Sequence, residues 1–183
     1  QAGYKIYWVS NQQTLTTRNT MLTSFAKQAD AQFFLNNARS QNSYSFDEKV
    51  FKPYKELLNN QDEKKIIFVH LIGTHMSYKY RYPETFKFFN DDSMLNNKIP
   101  KDKVERINHY DNALLYNDHV VYELIDMLKT ANIENSSLVY FSDHGEEVYD
   151  VGDHQFQGRN EATPTLGMYA IPFFFWVGDN EKL

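Results

Sequence analysis

The sequence predicts an α/β sandwich built on a largely parallel sheet. Short apolar and aromatic runs alternate with stretches of helical period along the chain. Residues 65–71 and 138–141 are continuous apolar runs, the look of strands buried on both faces. At 183 residues, with 42% hydrophobic and 23% charged residues, the chain can bury one sizeable core. No internal repeat, low-complexity tract or linker divides it, so residues 1–183 read as a single domain.

The elements follow in order. Residues 4–9 alternate and are rich in aromatic and β-branched side chains, which predicts a strand. Met21, Leu22 and Phe25 recur at helical spacing within 19–29. Residues 32–35 form a short apolar strand. Val50, Tyr54, Leu57 and Leu58 share one face of a helix over 46–60, with Pro53 marking a kink or restart. The strand over 65–71 ends near Gly73. Residues 73–99 have no clean period and read as a long aromatic and charged loop, functional or mobile. Val104, Ile107, Tyr110, Leu114, Val121, Leu124, Ile125 and Leu128 define the strongest helix, opened by Pro100. Residues 138–141 and 171–177 complete the strands. An α+β domain with antiparallel edge strands is the alternative, and the aromatic strand near the C-terminus is the candidate edge.

Composition excludes several classes. The formal charge is −5, which argues against a nucleic-acid partner. Cysteine is absent, so there is no disulfide framework, thiolate metal site or cysteine nucleophile. The longest apolar stretch, 170–177, is interrupted by Pro172 and falls far short of the ~20 residues of a membrane helix. The chain opens Gln1-Ala2-Gly3-Tyr4 without an initiator Met or a signal peptide, as expected of a mature form or a piece of something longer. Tyr 13, Phe 14 and Trp 2 make it 16% aromatic, more than a core alone readily explains.

Reactive side chains concentrate after two strands, where open α/β sheets bind ligands. Ser142-Asp143-His144-Gly145-Glu146-Glu147 follows one; His70-Leu71-Ile72-Gly73-Thr74-His75 ends the other. Gly152-Asp153-His154 lies in the next loop. Adjacent Asp143 and His144 can reach one metal if the chain turns there, and Gly145 permits a turn. A carboxylate with neutral imidazoles suits Zn²⁺ first and Mn²⁺ next. Glu146 is placed to orient a ligand. The bland alternatives are a loop cap or surface pair for Asp143–His144, and a hydrogen-bonded core histidine for His70. Glu147, Asp150 and Asp153 then form a solvated acidic face.

Four segments together resemble one family. Phe68-Val69-His70-Leu71-Ile72-Gly73-Thr74-His75, followed by Tyr78-Lys79-Tyr80-Arg81-Tyr82-Pro83, resembles the "H-x-x-G-S/T-H…Y…R-Y-P" segment of bacterial phosphoethanolamine transferases. Residues 2–12 resemble their "A-G-Y-x-x-x-W-x-S/D-N-Q" strand, and residues 110–118 their "Y-D-N-x-x-x-Y-x-D" helix. Residues 140–146 resemble the "S-D-H-G-E" metal motif of the alkaline phosphatase superfamily, whose sulfatase-like branch holds these enzymes. The match covers nearly the whole chain in the family's order.

The resemblance implies a three-layer, alkaline phosphatase/sulfatase-like sandwich, of which 1–183 is part of a catalytic domain. It implies transfer of phosphoethanolamine from phosphatidylethanolamine, through a Thr phosphoenzyme, to a lipopolysaccharide or glycan acceptor. Asp143 and His144 match ligands of the catalytic zinc. His75 and His154 match histidines that contact the phosphoryl group or a second metal. No role is carried over for His70. The family's Thr nucleophile and first acidic ligand lie upstream of the "A-G-Y" strand. Thr14, Thr16, Thr17 and Thr20 follow it, and Thr74 receives no such role, so the piece alone is expected to be inactive. The absence of cysteine departs from lipid A-modifying relatives and leaves other glycan acceptors open. Relatives carry N-terminal membrane helices, which implies an inner-membrane parent with this part in the periplasm.

The rings and cations of Tyr78, Tyr80, Arg81, Phe86 and Lys87 suit a headgroup or acceptor contact, or the packing of an irregular loop. A sulfatase, a phosphoglycerol transferase or phosphodiesterase, and a non-catalytic binding module are the competing readings.

Overall fold

The computed structural model describes residues 2–12, 21–38, 40, 42–90, 99–149 and 156–178. Strand β1 (Lys5–Ser10) is central in a parallel sheet of order β2-β1-β3, with β2 at Ala31–Phe34 and β3 at Lys65–His70. Tyr7 pairs with Ala31 on one side and Ile67 on the other. Ser10 pairs with His70, so β1 and β3 end at the same level. Helix α1 (Met21–Ala26) links β1 to β2. A 3₁₀ turn over Asp47–Val50 leads into α2 (Phe51–Leu58), which links β2 to β3. Pro53 falls in the first turn of α2, where its missing N–H costs nothing, and it marks the restart.

The chain steps from β1 to β2 and then back across β1 to β3. Right-handed crossovers therefore put α1 and α2 on opposite faces of the sheet. The α2 face is the thick one. Helix α3 (Lys101–Ala131) packs there, and Asn132 ends it in the left-handed conformation at φ 49°. The core joins Val9 of β1, Val50, Tyr54 and Leu57 around α2, and Tyr116, Val120 and Leu124 of α3. Val9, Val50 and Val120 are wholly buried. Each contributes roughly 1.5–3 kcal/mol by leaving water.

The second sheet is antiparallel. Strand β4 (Ser137–Phe141) pairs with the last strand of the chain, Phe173–Val177, and Phe141 lies opposite Phe173. The aromatic C-terminal strand is thus the antiparallel edge. Between them a short hairpin pairs β5 (Glu147–Val148) with β6 (Gln157–Gly158), which makes the last strand β7.

Two expectations need correction. Strands β3 and β4 are not buried on both faces. Ile67, Val69 and Leu138 pack on the α3 core, but Phe68 is 47% and Phe141 60% exposed, and Phe173 beside it is 68% exposed. The second layer is thin among the described residues: Met21, Leu22 and Phe25 of α1 are themselves exposed. The second concerns residues 73–90, which are held in place rather than loose. They form 3₁₀ turns at Tyr78–Tyr80 and Glu84–Phe86. The buried Asn112 side chain accepts from the Phe88 and Phe89 amides, 2.8 Å each, and donates to the Phe89 carbonyl at 2.7 Å.

Candidate functional site

The candidate residues follow the carboxyl ends of β1, β3 and β4. The loop after β3 is fixed at both ends. Asp47, buried at the start of its 3₁₀ turn, accepts from the Ile72 amide at 2.9 Å and the Gly73 amide at 2.8 Å. Asn11, just past β1, donates to the same carboxylate at 2.8 Å. Gly73 has φ +58°, a conformation that favours glycine, so the tight turn of the region is here. At the other end, Arg81 donates from Nε to the His75 carbonyl (2.7 Å) and from a terminal nitrogen to the Met76 carbonyl (2.9 Å). Burial pushes the Asp47 carboxyl above its ordinary value, while the Ile72 amide, Asn11, the Gly73 amide and the Arg81 charge pull it back.

His75 and His144 share one hydrogen-bond pattern. Nδ1 of His75 lies 2.7 Å from the Met76 carbonyl, and Nδ1 of His144 lies 2.7 Å from the Gly145 carbonyl. A carbonyl oxygen only accepts, so each Nδ1 carries the proton. In the neutral ring Nε2 is then the free lone pair, the tautomer a metal ligand needs. Glu146 joins the two. Burial raises its carboxyl above the ordinary glutamate value, and Tyr78, His144 and His75 act to lower it. Both imidazoles therefore lie within electrostatic reach of one half-buried carboxylate. Asp143 is exposed beside them.

His70 is more interior. Its Nδ1 is 3.2 Å from the Ser10 hydroxyl, which accepts from the Gln12 amide at 3.1 Å, and Trp8 packs edge-on at 5.8 Å. Burial lowers its basicity, opposed by Asp143, so it stays neutral near pH 7.

Gly145 earns its place by close approach rather than by turning: a Cβ there would sit 2.1 Å from the Gly167 carbonyl oxygen. Its amide donates to the Met168 carbonyl at 3.0 Å. Glu147 is buried, not part of a solvated face, and accepts from the Thr165 hydroxyl at 2.7 Å. Residues 150–155, with Asp150, Asp153 and His154, and residues 13–20, with Thr14, Thr16, Thr17 and Thr20, lie outside the described residues.

The three loop residues expected at a substrate separate. Tyr78 is buried, edge-on to Tyr110 at 5.1 Å, with its hydroxyl on the Glu146 side. Arg81 is buried and spent on backbone carbonyls. Tyr80 is half-buried, edge-on to Tyr44 at 5.0 Å. Sequence reasoning missed Asp47, which reads as an ordinary helix-start residue and makes no capping bond.

Among the described residues, no three His, Asp or Glu side chains converge as a closed metal cage. The donor set nonetheless fits part of a zinc site: two imidazoles with free Nε2 atoms beside carboxylates.

The family model described as Sulfatase matches residues 1–182. The chain belongs to the sulfatase family. Within this sulfatase family, phosphoethanolamine transferase EptC of Escherichia coli is 53% identical over 180 residues, covering 98% of the chain and 31% of that protein. Phosphoethanolamine transferase CptA of Salmonella typhimurium is 50% identical, again over 98% of the chain and 31% of the relative. The crystal structure of the C-terminal periplasmic domain of EcEptC from Escherichia coli in complex with Zn superposes with a TM-score of 0.91 at 52% identity. It covers 98% of this sulfatase-family chain and 50% of that domain. The chain thus spans under a third of the length of the curated relatives it matches, and half of the solved domain.

Proposed function

We infer that these residues are part of the catalytic domain of a phosphoethanolamine transferase, with a phosphatidylethanolamine donor and a lipopolysaccharide or other glycan acceptor. The single observation that carries this is the matched pair His75 and His144. Both have Nδ1 tied to the adjacent carbonyl, which leaves the Nε2 lone pair for a ligand, and both rings act on the Glu146 carboxyl. The similarity to EptC and CptA supports the same reading. His154 is the further histidine of the site on sequence grounds.

Phosphoryl transfer needs positioned groups around a charged, three-oxygen centre. In the reaction a nucleophile oxygen forms a bond to the donor phosphorus, and the bond from phosphorus to the diacylglycerol oxygen breaks. The leaving oxygen takes up a proton, and the acceptor hydroxyl or phosphate later displaces the nucleophile. This chain contributes His144 and Asp143 as zinc ligands, and His75 as a second ligand or phosphoryl-oxygen donor. Zinc, when bound, supplies Lewis acidity that offsets charge on the transferred group. Burial raises the Glu146 carboxyl, and Tyr78 and both imidazoles draw it back toward its ordinary value. The Thr nucleophile and the remaining ligands come from outside these 183 residues, and the 183 residues alone do not turn over. The parent is anchored in the inner membrane, with this part in the periplasm.

The test presents the whole enzyme that contains this chain with three substrates: phosphatidylethanolamine, phosphatidylglycerol and an aryl sulfate. Diacylglycerol release from phosphatidylethanolamine alone, dependent on zinc and less on manganese, is the expected result. Preference for phosphatidylglycerol would make it a phosphoglycerol transferase, and turnover of the sulfate ester a sulfatase.

A further inference from the structure

Ser10 and His70 are partners across β1 and β3, and their side chains share the sheet face that also carries Trp8 and Phe68. Ser10 is wholly buried, and its hydroxyl meets two groups: the Gln12 amide at 3.1 Å and His70 Nδ1 at 3.2 Å. A backbone N–H only donates, so the hydroxyl oxygen accepts from Gln12. The hydroxyl proton then has one acceptor among the described residues, the Nδ1 lone pair. We propose that Ser10 holds His70 as an Nε2–H donor that orients the Asp143 carboxylate, and that His70 is a positioning residue and not a metal ligand.

The reverse assignment fails on hydrogen-bond accounting. With the proton on Nδ1, the Ser10 oxygen would accept twice, and its own proton would have no acceptor inside a residue with no exposure. Buried polar groups are rarely left in that state, because the lost hydration is not replaced. A neutral imidazole carries a single proton, and burial keeps His70 neutral. That proton therefore sits on Nε2. The ring is also fixed in place. Trp8, only 8% exposed, packs edge-on to it at 5.8 Å, and the His70 carbonyl accepts from the Asn11 amide at 3.0 Å.

His70 thus has the tautomer opposite to that of His75 and His144, whose Nδ1 atoms donate to neighbouring carbonyls and whose Nε2 atoms keep a lone pair. A metal takes a lone pair, and His70 has none to give: Nδ1 is occupied by Ser10, and Nε2 bears hydrogen. An N–H donor at a site of this kind suits an anionic oxygen. Asp143 is the charge that acts on the His70 ring, and it follows β4 at the same end of the fold. Carboxylates that ligate a metal are themselves oriented by outer hydrogen bonds, which fix the lone pair they present. The zinc role of Asp143 rests on the transfer reading above; the tautomer of His70 does not.

The whole enzyme that contains this chain is labelled with ring-¹⁵N histidine and its spectrum recorded first without metal. Signals missing from the His70→Gln spectrum belong to His70. They are expected to show hydrogen on Nε2 and a bare Nδ1, with the Nε2 resonance displaced in Asp143→Ala. Ser10→Ala removes the hydroxyl and should give a mixture of the two tautomers. Ser10→Thr keeps it and should give the wild-type pattern. A zinc titration then reads the consequence. Ser10→Ala should bind with wild-type stoichiometry and about tenfold weaker affinity, and Ser10→Thr with wild-type affinity. Hydrogen on Nδ1 in the wild type would overturn the proposal. So would an unchanged tautomer or unchanged zinc affinity in Ser10→Ala, an unmoved Nε2 resonance in Asp143→Ala, or loss of a zinc equivalent in His70→Gln. The wild-type tautomer and the Asp143→Ala response decide the question where Ser10→Ala fails to fold. An enzyme with the expected tautomers that takes up no zinc would overturn the transfer reading instead, and leave the hold of Ser10 on His70 standing.

Discussion

Asp47 and Arg81 grip opposite ends of the loop that carries His75. The carboxylate takes the amides of Ile72 and Gly73, and the guanidinium takes the carbonyls of His75 and Met76. Both side chains are buried, and their charges act on each other. The imidazole that projects from this loop is itself exposed. Its position is therefore set by two residues that face inward.

That arrangement predicts the effect of unpairing it. Asp47→Asn places an amide donor against amides that already donate, and leaves Arg81 without its countercharge. The expected cost is about 3 kcal/mol, read from urea unfolding. Arg81→Lys keeps the charge but cannot span both carbonyls, so a smaller loss of about 1–2 kcal/mol is expected, with altered ring resonances of His75. Unchanged stability and unchanged His75 resonances in both variants would remove the clamp.

His109 predicts a pH dependence. Burial depresses its pKa below the ordinary histidine value, helped by Lys79 and Lys87 and opposed by Glu105. The folded state thus prefers the neutral ring. Its contribution is present above the unfolded histidine value, about 6.5, and is lost as pH falls through the lower folded value. Urea midpoints measured from about pH 7 down to about pH 5 should fall for the wild type and fall less for His109→Gln. Parallel curves would mean that His109 titrates alike in both states.

The exposed rings of the two sheets predict self-association. Phe68 of the parallel sheet is exposed, as are Phe141 and Phe173, which pair across β4 and β7 and stack at 6.4 Å. Exposed apolar patches of this kind mark a surface made to be covered. Sedimentation of the 183-residue chain should show concentration-dependent association. Serine at Phe68, Phe141 and Phe173 should shift it toward monomer. A wild type that stays monomeric at high concentration would show that the face tolerates water.

Much of this organisation is legible in the residues. Alternating periods give every strand and helix from β1 to α3, because each element has one dominant apolar face. The ends of β3 and β4 are legible because His75 and Asp143-His144 follow continuous apolar runs. Burial on the second face of those strands is not, since an apolar run is the same whether or not anything covers it. Gly145 reads as a turn glycine, yet what excludes a side chain is the Gly167 carbonyl, a contact twenty-two positions away in sequence. Asp47 carries no signal either, because its partners at residues 11, 72, 73 and 81 are distant along the chain. Glu147 looks solvated among acidic neighbours, and only the fold supplies Thr165.

The central claim is that His75 and His144 serve a zinc-assisted phosphoryl transfer. Its most direct test is the intact mass of the whole enzyme containing this chain after incubation with zinc and phosphatidylethanolamine. A mass gain of one phosphoethanolamine is predicted, lost on chelation and in His75→Gln and His144→Gln, and retained in His119→Gln, a partly exposed histidine of α3. A folded, zinc-loaded enzyme that never acquires the adduct, or one that acquires it equally in all three variants, would contradict the account.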